Sequence, residues 1–408
     1  MILAQNHQLQ LSGNKWLIVC VILFLAGCSP KIVPTVPKQV VPEVVEKVVE
    51  KKPETKFTQA NVALLIPFRL NEVNLKSATK ATIEQSAMAI DFYQGFKLGM
   101  DSAAAAGLNF KLNVYDTRDN DSHIDELIRK NNGLAESNLI IGPVFPQGLK
   151  HIANFAAAKG IPVVNPLAAT HPNEFHNPNL ISVVNNIDLH AAKIGNYITK
   201  SYNPAKTVVV LINPKGPDQV MADPIRAYFS NHKQFVFQEY ASVFTMEMSL
   251  IKGKTYVIIV SSSDRNFVVP TIDKLIKMKN AGLNVVLYGH PDWIKQNYNI
   301  DKLQALNATV SSSYKVDYTS PGVNTFIKKY RTAFNFEPGE YSFKGFDVGY
   351  YFASLISRHK ADFLQYLTKE KYKGLHNNFS FSYDEKLGYI NTSLMLLRYQ
   401  GFALNIIE

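Results

Sequence analysis

The sequence predicts an α/β protein built as two doubly wound lobes. Three observations lead there. Short runs rich in Val, Ile and Leu recur along the chain. They are apolar at successive positions rather than at alternate ones, which is how strands of a parallel sheet read when helices cover both faces. Between them lie segments with apolar residues every three or four positions, the helical period. The alternation passes through four strand–helix units, restarts, and passes through four more, which is more than one sheet needs.

Taken in order, VALLIPF at 62–68 is the opening buried strand. A helix over 88–106 follows, with Phe92, Phe96, Met100 and Ala103 on one face. The segment 110–115 is a strand and 122–132 a helix. The strand 139–141 leads to a helix over 147–159 carrying Ile152, Phe155 and Ala156, and 162–164 is the fourth strand. The second group opens with a helix over 188–200. The strand TVVVLI at 207–212, a helix and the strand 235–240 come next. After the strand 256–260, a long helix carries Val268, Ile272, Leu275 and Ile276, and 285–288 is the last strand of the group. Amphipathic helices are expected over 324–334 and 345–358. From 379 to 407 the pattern is of short strands, with turns at 384–388 and 400–401.

The chain has 408 residues, enough for two or three domains. At 46% hydrophobic and 19% charged residues it has the composition of a globular protein. Its two cysteines, Cys20 and Cys28, both precede the body. That excludes a disulfide framework, and a Cys-based metal site, from the folded part. The net charge is +10, from 43 Lys and Arg against 33 Asp and Glu. Such a balance suits nucleic acid, anionic lipid or an acidic polymer.

The N-terminus narrows that choice. WLIVCVILFLA at 16–26 follows Lys15 and is too short to span a bilayer, which takes roughly 20 residues. It has the form of a signal-peptide core behind a basic flank. It runs into Leu25-Ala26-Gly27-Cys28, which resembles the lipobox of bacterial lipoproteins. The resemblance implies cleavage before Cys28 and acylation of that residue. Residues 1–27 are then a signal peptide, and the body sits in the bacterial cell envelope, anchored in the inner or the outer membrane. Nucleic acid drops out as a partner, and anionic headgroups or acidic wall polymers remain. Residues 28–59 carry Pro30, Pro34, Pro37, Pro42 and Pro53 among valines and mixed charges, the composition of an extended tether.

From about Asn61 to the C-terminus the chain resembles the type I periplasmic binding proteins, the family of leucine/isoleucine/valine receptors. The landmarks keep the family's order: ALLIPF, DFYQGFKLGMDSA at 91–103, NLIIGPV at 138–144 and AAAKGIPVVNPLAAT at 156–170. NLISVVNNIDLHAAKIGNYI, YRTAFNFEPGEYSFKGFDVGYYFASLI and FSFSYDEKLGYINTSLMLLRY follow. The resemblance implies two Rossmann-like lobes joined by three crossings. Lobe 1 takes about 60–184 and 312–367, and lobe 2 takes about 185–311 and 368–408. A ligand would sit in the interlobe cleft, outside the carboxyl ends of the strands, with hinge closure around it.

Candidate ligand-binding residues follow from strand ends and helix N-termini, which offer free N–H groups to anions. In lobe 1 they are Phe68, Phe145, Gln147, Ala169 and Thr170, with Pro67, Pro143 and Leu167 beside them. Amino-acid receptors of the family place small or hydroxyl residues where this chain has Val144-Phe145-Pro146-Gln147, a departure that removes the hydroxyls. Ala169-Thr170 matches the family's Ala-Thr, and Thr170 reads equally as a turn residue. In lobe 2, Asp188 matches the family's acidic residue and also reads as a helix N-cap. Ser262 and Ser263, with Ser261 before them, end a strand. Lys215 and His290 also follow strands, and Tyr314 and Tyr341 are candidates for stacking. His171, Glu174 and His176 lie among prolines without metal-ligand spacing, and Asp116, Asp119 and Asp121 lack the glycine and closing Glu of a calcium loop. No metal or cofactor is expected, and no nucleophile elbow or P-loop is present, so the expectation is of a binding protein without chemistry.

Two functions fit. The first is a lipid-anchored solute-binding protein that captures a small polar ligand, an amino acid or similar, for ABC-type uptake with a permease partner. The second keeps the fold and drops transport: an outer-membrane lipoprotein that regulates a peptidoglycan synthase, as some lipoproteins resembling this chain do.

Overall fold

The structure, a computed structural model, describes residues 57–408 apart from 75, 106, 249 and 251. The expected signal peptide, Cys28 and nearly all of the tether lie outside the described residues. None of the described helices is long and apolar enough to cross a membrane.

The chain enters on β1 (Gln59–Ile66), and α1 (Lys80–Ala104) returns it to β2 (Asn109–Asp116). The pattern continues through α2 (Asp121–Lys130), β3 (Leu139–Ile141), α3 (Pro146–Lys159), β4 (Val163–Asn165) and β5 (Leu180–Ser182). The second lobe opens with α4 (Ile187–Ser201) and runs through β6 (Thr207–Ile212), α5 (Gln219–Ser230), β7 (Val236–Tyr240) and β8 (Thr255–Val260). It goes on through α6 (Arg265–Asn280), β9 (Asn284–Gly289) and β10 (Thr309–Ser312). Helices α7 (Pro321–Phe334) and α8 (Glu340–His359) pack back on the first lobe, α8 lying along α1. Six short strands close the chain: β11 (Tyr372–Lys373), β12 (Asn378–Phe379), β13 (Phe381–Asp384), β14 (Gly388–Asn391), β15 (Met395–Gln400) and β16 (Ala403–Ile406).

Two seven-stranded sheets result, in the orders β13-β14-β5-β4-β3-β1-β2 and β16-β15-β10-β9-β8-β6-β7. In the first, the six strands from β14 to β2 are parallel, and in the second the five from β10 to β7 are. The doubly wound α/β architecture expected from the sequence is present in both lobes. Each sheet reverses direction of growth at its first strand, between β1 and β3 and between β6 and β8. Crevices at such switch points are where open α/β sheets bind ligands.

The alternation of side chains along each buried strand explains why the sequence reads as unbroken apolar runs. On β1, Val62, Leu64 and Ile66 face the cluster under α1 and α8, while Ala63 and Leu65 face the one under α3. On β6, Val208, Val210 and Ile212 face α6, and Val209 and Leu211 face α4 and α5.

One boundary differs from expectation. The resemblance places residues 368–391 in lobe 2, but β13 and β14 extend the first sheet, and Phe379 and Phe381 pack in the lobe 1 core. The three crossings therefore come near 183–186, 313–316 and 392–394. The apolar pattern marks these residues as strands but does not say which sheet edge they extend. Two buried strands, β5 and β10, are also additions. β10 is Thr-Val-Ser-Ser, too polar to read as a buried strand.

Candidate functional site

The carboxyl ends of β4, β5, β9 and β10 converge on a cavity of about 510 Å³. Each edge is set by local hydrogen bonds. After β4, the Asn165 side chain accepts from the Ala168 N–H at 3.0 Å and donates to its carbonyl at 2.8 Å, fixing the turn that presents Ala169 and Thr170. After β5, Asn186 caps α4 by accepting from the Leu189 N–H at 3.1 Å. Asn186, not Asp188, is therefore the N-cap. Asp188 stands in the first turn, where its charge suits the helix dipole, and lines the cavity 3.4 Å from the His171 ring. After β9, His290 accepts from the Asp292 N–H at 3.1 Å, opening a short helical turn that carries Lys295. Asp292 and Lys295 pair at 3.1 Å.

His190, one turn into α4, is buried at the floor. Its Nδ1 lies 2.8 Å from Ser311 Oγ and its Nε2 3.4 Å from Ser313 Oγ, so β10 and the crossing after it hold both ring nitrogens. Burial, reinforced by neighbouring His290, pushes its pKa down to about 3, and the imidazole is neutral at pH 7. Burial also lowers that of His290.

Among the described residues, two buried polar atoms at the cavity have no hydrogen-bond partner. Asn185 donates its Nδ2 to the Asn391 carbonyl at 2.6 Å, which leaves Oδ1 unsatisfied. The Tyr314 hydroxyl is the other. Burial raises the Tyr314 pKa to about 12, against the opposing pull of Lys295. The Tyr314 ring stacks on His376 at 4.7 Å and has the Lys344 ammonium over it at 4.6 Å.

A second cavity, of about 570 Å³, meets the first at Ala169, Thr170 and Lys295. Met88, Phe145, Leu167 and Tyr341 give it apolar walls, and Glu340 and Lys344, paired at 2.6 Å, a charged edge. Burial pulls the Lys344 pKa below its usual range, opposed by Glu340.

Of the residues singled out from sequence, Ala169, Thr170 and Asp188 line the first cavity, with His290 and Tyr314. Phe145 and Tyr341 line the second. Phe68, Gln147, Ser262 and Ser263 line neither. Phe68 packs edge-on to Tyr93, with ring centroids 5.9 Å apart. Ser262 is buried, its hydroxyl accepting from the Asp264 N–H at 3.1 Å and its carbonyl from the Trp293 indole at 2.9 Å. The Ser263 carbonyl accepts from the Tyr298 hydroxyl at 3.2 Å. The carboxylate of Asp116 takes backbone N–H groups of Arg69, Leu70 and Arg118, joining two loops. Sequence reasoning did not find Asn185, His190, Lys295, Ser311, Ser313, Glu340 or Lys344. The polar pairs Asn185-Asn186 and Ser311-Ser312 beside buried segments were the available signal.

No protein-family profile matches the chain, and no curated protein does. Solved structures do match its fold. One, described as a branched-chain amino acid ABC transporter protein from Rhodospirillum rubrum, is 13% identical with a TM-score of 0.63, covering 86% of this chain and 100% of its own. An ABC transporter substrate-binding protein from Desulfitobacterium hafniense, in complex with Leu, is 14% identical with a TM-score of 0.53, covering 86% and 100%. Another from Sphaerobacter thermophilus is 12% identical with a TM-score of 0.56, covering 86% and 97%. The chain thus has the two-lobed type I periplasmic binding protein fold.

Proposed function

We propose that this protein is a lipid-anchored solute-binding protein. It captures a small polar ligand, an amino acid or similar, between its lobes and delivers it to an ABC-type permease. The observation that carries the reading is the unsatisfied buried oxygen Asn185 Oδ1, with the buried Tyr314 hydroxyl near Lys295, at a cavity where strand ends of both lobes meet. A buried polar group without a partner costs roughly 1–3 kcal/mol, and a ligand that supplies the partner recovers it. Binding is read as capture without bond making, with His190 held at both ring nitrogens by Ser311 and Ser313. The solved structures of the same fold include a substrate-binding protein in complex with Leu, which supports the reading.

The test is a thermal-shift screen of amino acids and small polar metabolites against the whole chain. At least one should raise the melting temperature in a dose-dependent way, as mass action requires for a ligand of the folded state. A flat response across the screen would remove the reading. Acylation at Cys28 has its own test: Cys28→Ser should move the protein from the membrane fraction to the soluble fraction.

The second reading, an outer-membrane lipoprotein that regulates a peptidoglycan synthase, is favoured by one feature. Phe145 is 40% exposed at the start of α3, and Pro146 follows it without an N–H. That helix end is poorer in anion donors than a carboxylate site wants. Recovery of a wall synthase and no permease on cross-linking in cells would favour this role.

A further inference from the structure

The two cavities differ in charge. The first is lined by three carboxylates, Glu174, Asp188 and Asp292, against Lys295, the remaining titratable side chains there being three histidines and the neutral Tyr314 phenol. The second is lined by Lys295 and Lys344 against Glu340. Ion pairs temper but do not erase this polarity. Glu174 pairs with Lys150 at 3.2 Å and Asp292 with Lys295, while Asp188, among the described residues, pairs with the His171 ring alone. The orphaned atom deep in the first cavity has a fixed sense. Asn185 must give its Nδ2 to the Asn391 carbonyl, so the oxygen is what it offers a ligand, and that oxygen needs an N–H or O–H donor. Beside Lys295 and Lys344 in the second cavity, Phe145, Leu167 and Tyr341 present apolar surface.

From this arrangement we infer that the cleft binds a short peptide: its ammonium end at Asn185 and Asp188, an apolar side chain against Phe145 and Tyr341, its carboxylate end toward Lys295 and Lys344. This inference rests on the solute-binding reading above and names its ligand class. A single amino acid also carries both charges, but only one bond apart from a shared carbon. The two joined cavities, of about 510 and 570 Å³, are each within the range of a pocket for a ligand of drug size. A peptide separates its two charges by about 3.3–3.6 Å for each residue added, and puts side chains where the apolar walls are.

The test is calorimetric titration of the whole chain with leucine, phenylalanine, Leu-Phe and Ala-Leu-Phe, together with N-acetylated and C-amidated forms of both peptides. The peptides should bind about ten-fold or more tightly than either amino acid, and capping either end should cost about ten-fold or more, the loss of a charge-assisted hydrogen bond. Asp188→Asn, at an exposed side chain, should weaken the free-amine peptides and leave the acetylated ones unchanged. Tyr341→Ala should weaken peptides in proportion to their apolar side chains. Single amino acids binding as tightly as the peptides, or acetylated peptides binding undiminished, would overturn the inference and leave solute binding intact. If no peptide binds but another solute does, the inference alone falls. If no solute of any class binds, the solute-binding reading falls with it.

Discussion

His190 ties local chemistry to the stability of the whole. Its imidazole is neutral in the folded protein down to about pH 3, whereas an unfolded histidine takes a proton near 6.5. Over that window the unfolded chain binds the extra proton, so acidification destabilises the fold. The full effect is on the order of 5 kcal/mol. His376, pushed down to about 4 by burial, acts in the same direction. Asp347 opposes them. Burial raises its pKa to about 6 although it accepts backbone N–H groups from Leu375, His376 and Asn377, each at 2.8 Å. Its contribution is therefore present below the ordinary value of 3.8 and lost as pH rises through about 6. Two histidines outweigh one carboxyl, and the net result is loss of stability in acid. Replacing His190 by Gln should flatten the dependence by close to one proton between about pH 4 and 6, roughly 1.4 kcal/mol per pH unit. Urea unfolding across that range checks it, and an unchanged slope would show that His190 is not held neutral. The helix carrying His190 was readable from its apolar period. Its clamp was not, because Ser311 and Ser313 stand 121 and 123 residues away on an unread strand and the crossing after it.

At the level of elements, the closest packing in lobe 1 is between α1 and α8. Gly95 and Gly99 on one helix, and Gly345 and Gly349 on the other, let the two backbones touch: a methyl at Gly345 would collide with the Phe92 carbonyl, and one at Gly95 with that of Ser342. Backbone atoms cannot swing aside as side chains do, so Gly345→Ala must part the helices or strain them. The expected cost is about 1–3 kcal/mol or more, seen as a lower urea midpoint at unchanged slope. A midpoint equal to that of the parent would mean the helices do not approach so closely. Both helices were legible from apolar spacing, as were the long strands whose two faces are buried. The glycine seam was not, because its halves lie some 250 positions apart in the chain and each reads by itself as a weak spot in a helix. The same long-range dependence put β13 and β14 in the wrong lobe: Phe379 and Phe381 look alike under either sheet until Tyr351 and Phe352 of α8 are known to cover them.

For the whole molecule, each of the three crossings is held by polar side chains. Asn185 bonds the Asn391 carbonyl, and Asn391 donates to the Val183 carbonyl at 2.9 Å, joining the first crossing to the third. Asn377, in the turn between β11 and β12, donates to the Ser313 carbonyl at 3.3 Å, which ties the second crossing to lobe 1. Hydrogen bonds can re-form after a small rotation more readily than an interdigitated apolar core can, so these crossings suit a hinge. The site lies against them, and a ligand that satisfies Asn185 and Tyr314 while touching both lobes would favour the closed form by its differential affinity. The most direct measurement is small-angle X-ray scattering of the body with and without a saturating concentration of a solute that raises its melting temperature. The account predicts a smaller radius of gyration in the bound state, restored on removing the solute. A solute that binds tightly yet leaves the scattering curve unchanged would contradict closure of the lobes around a ligand.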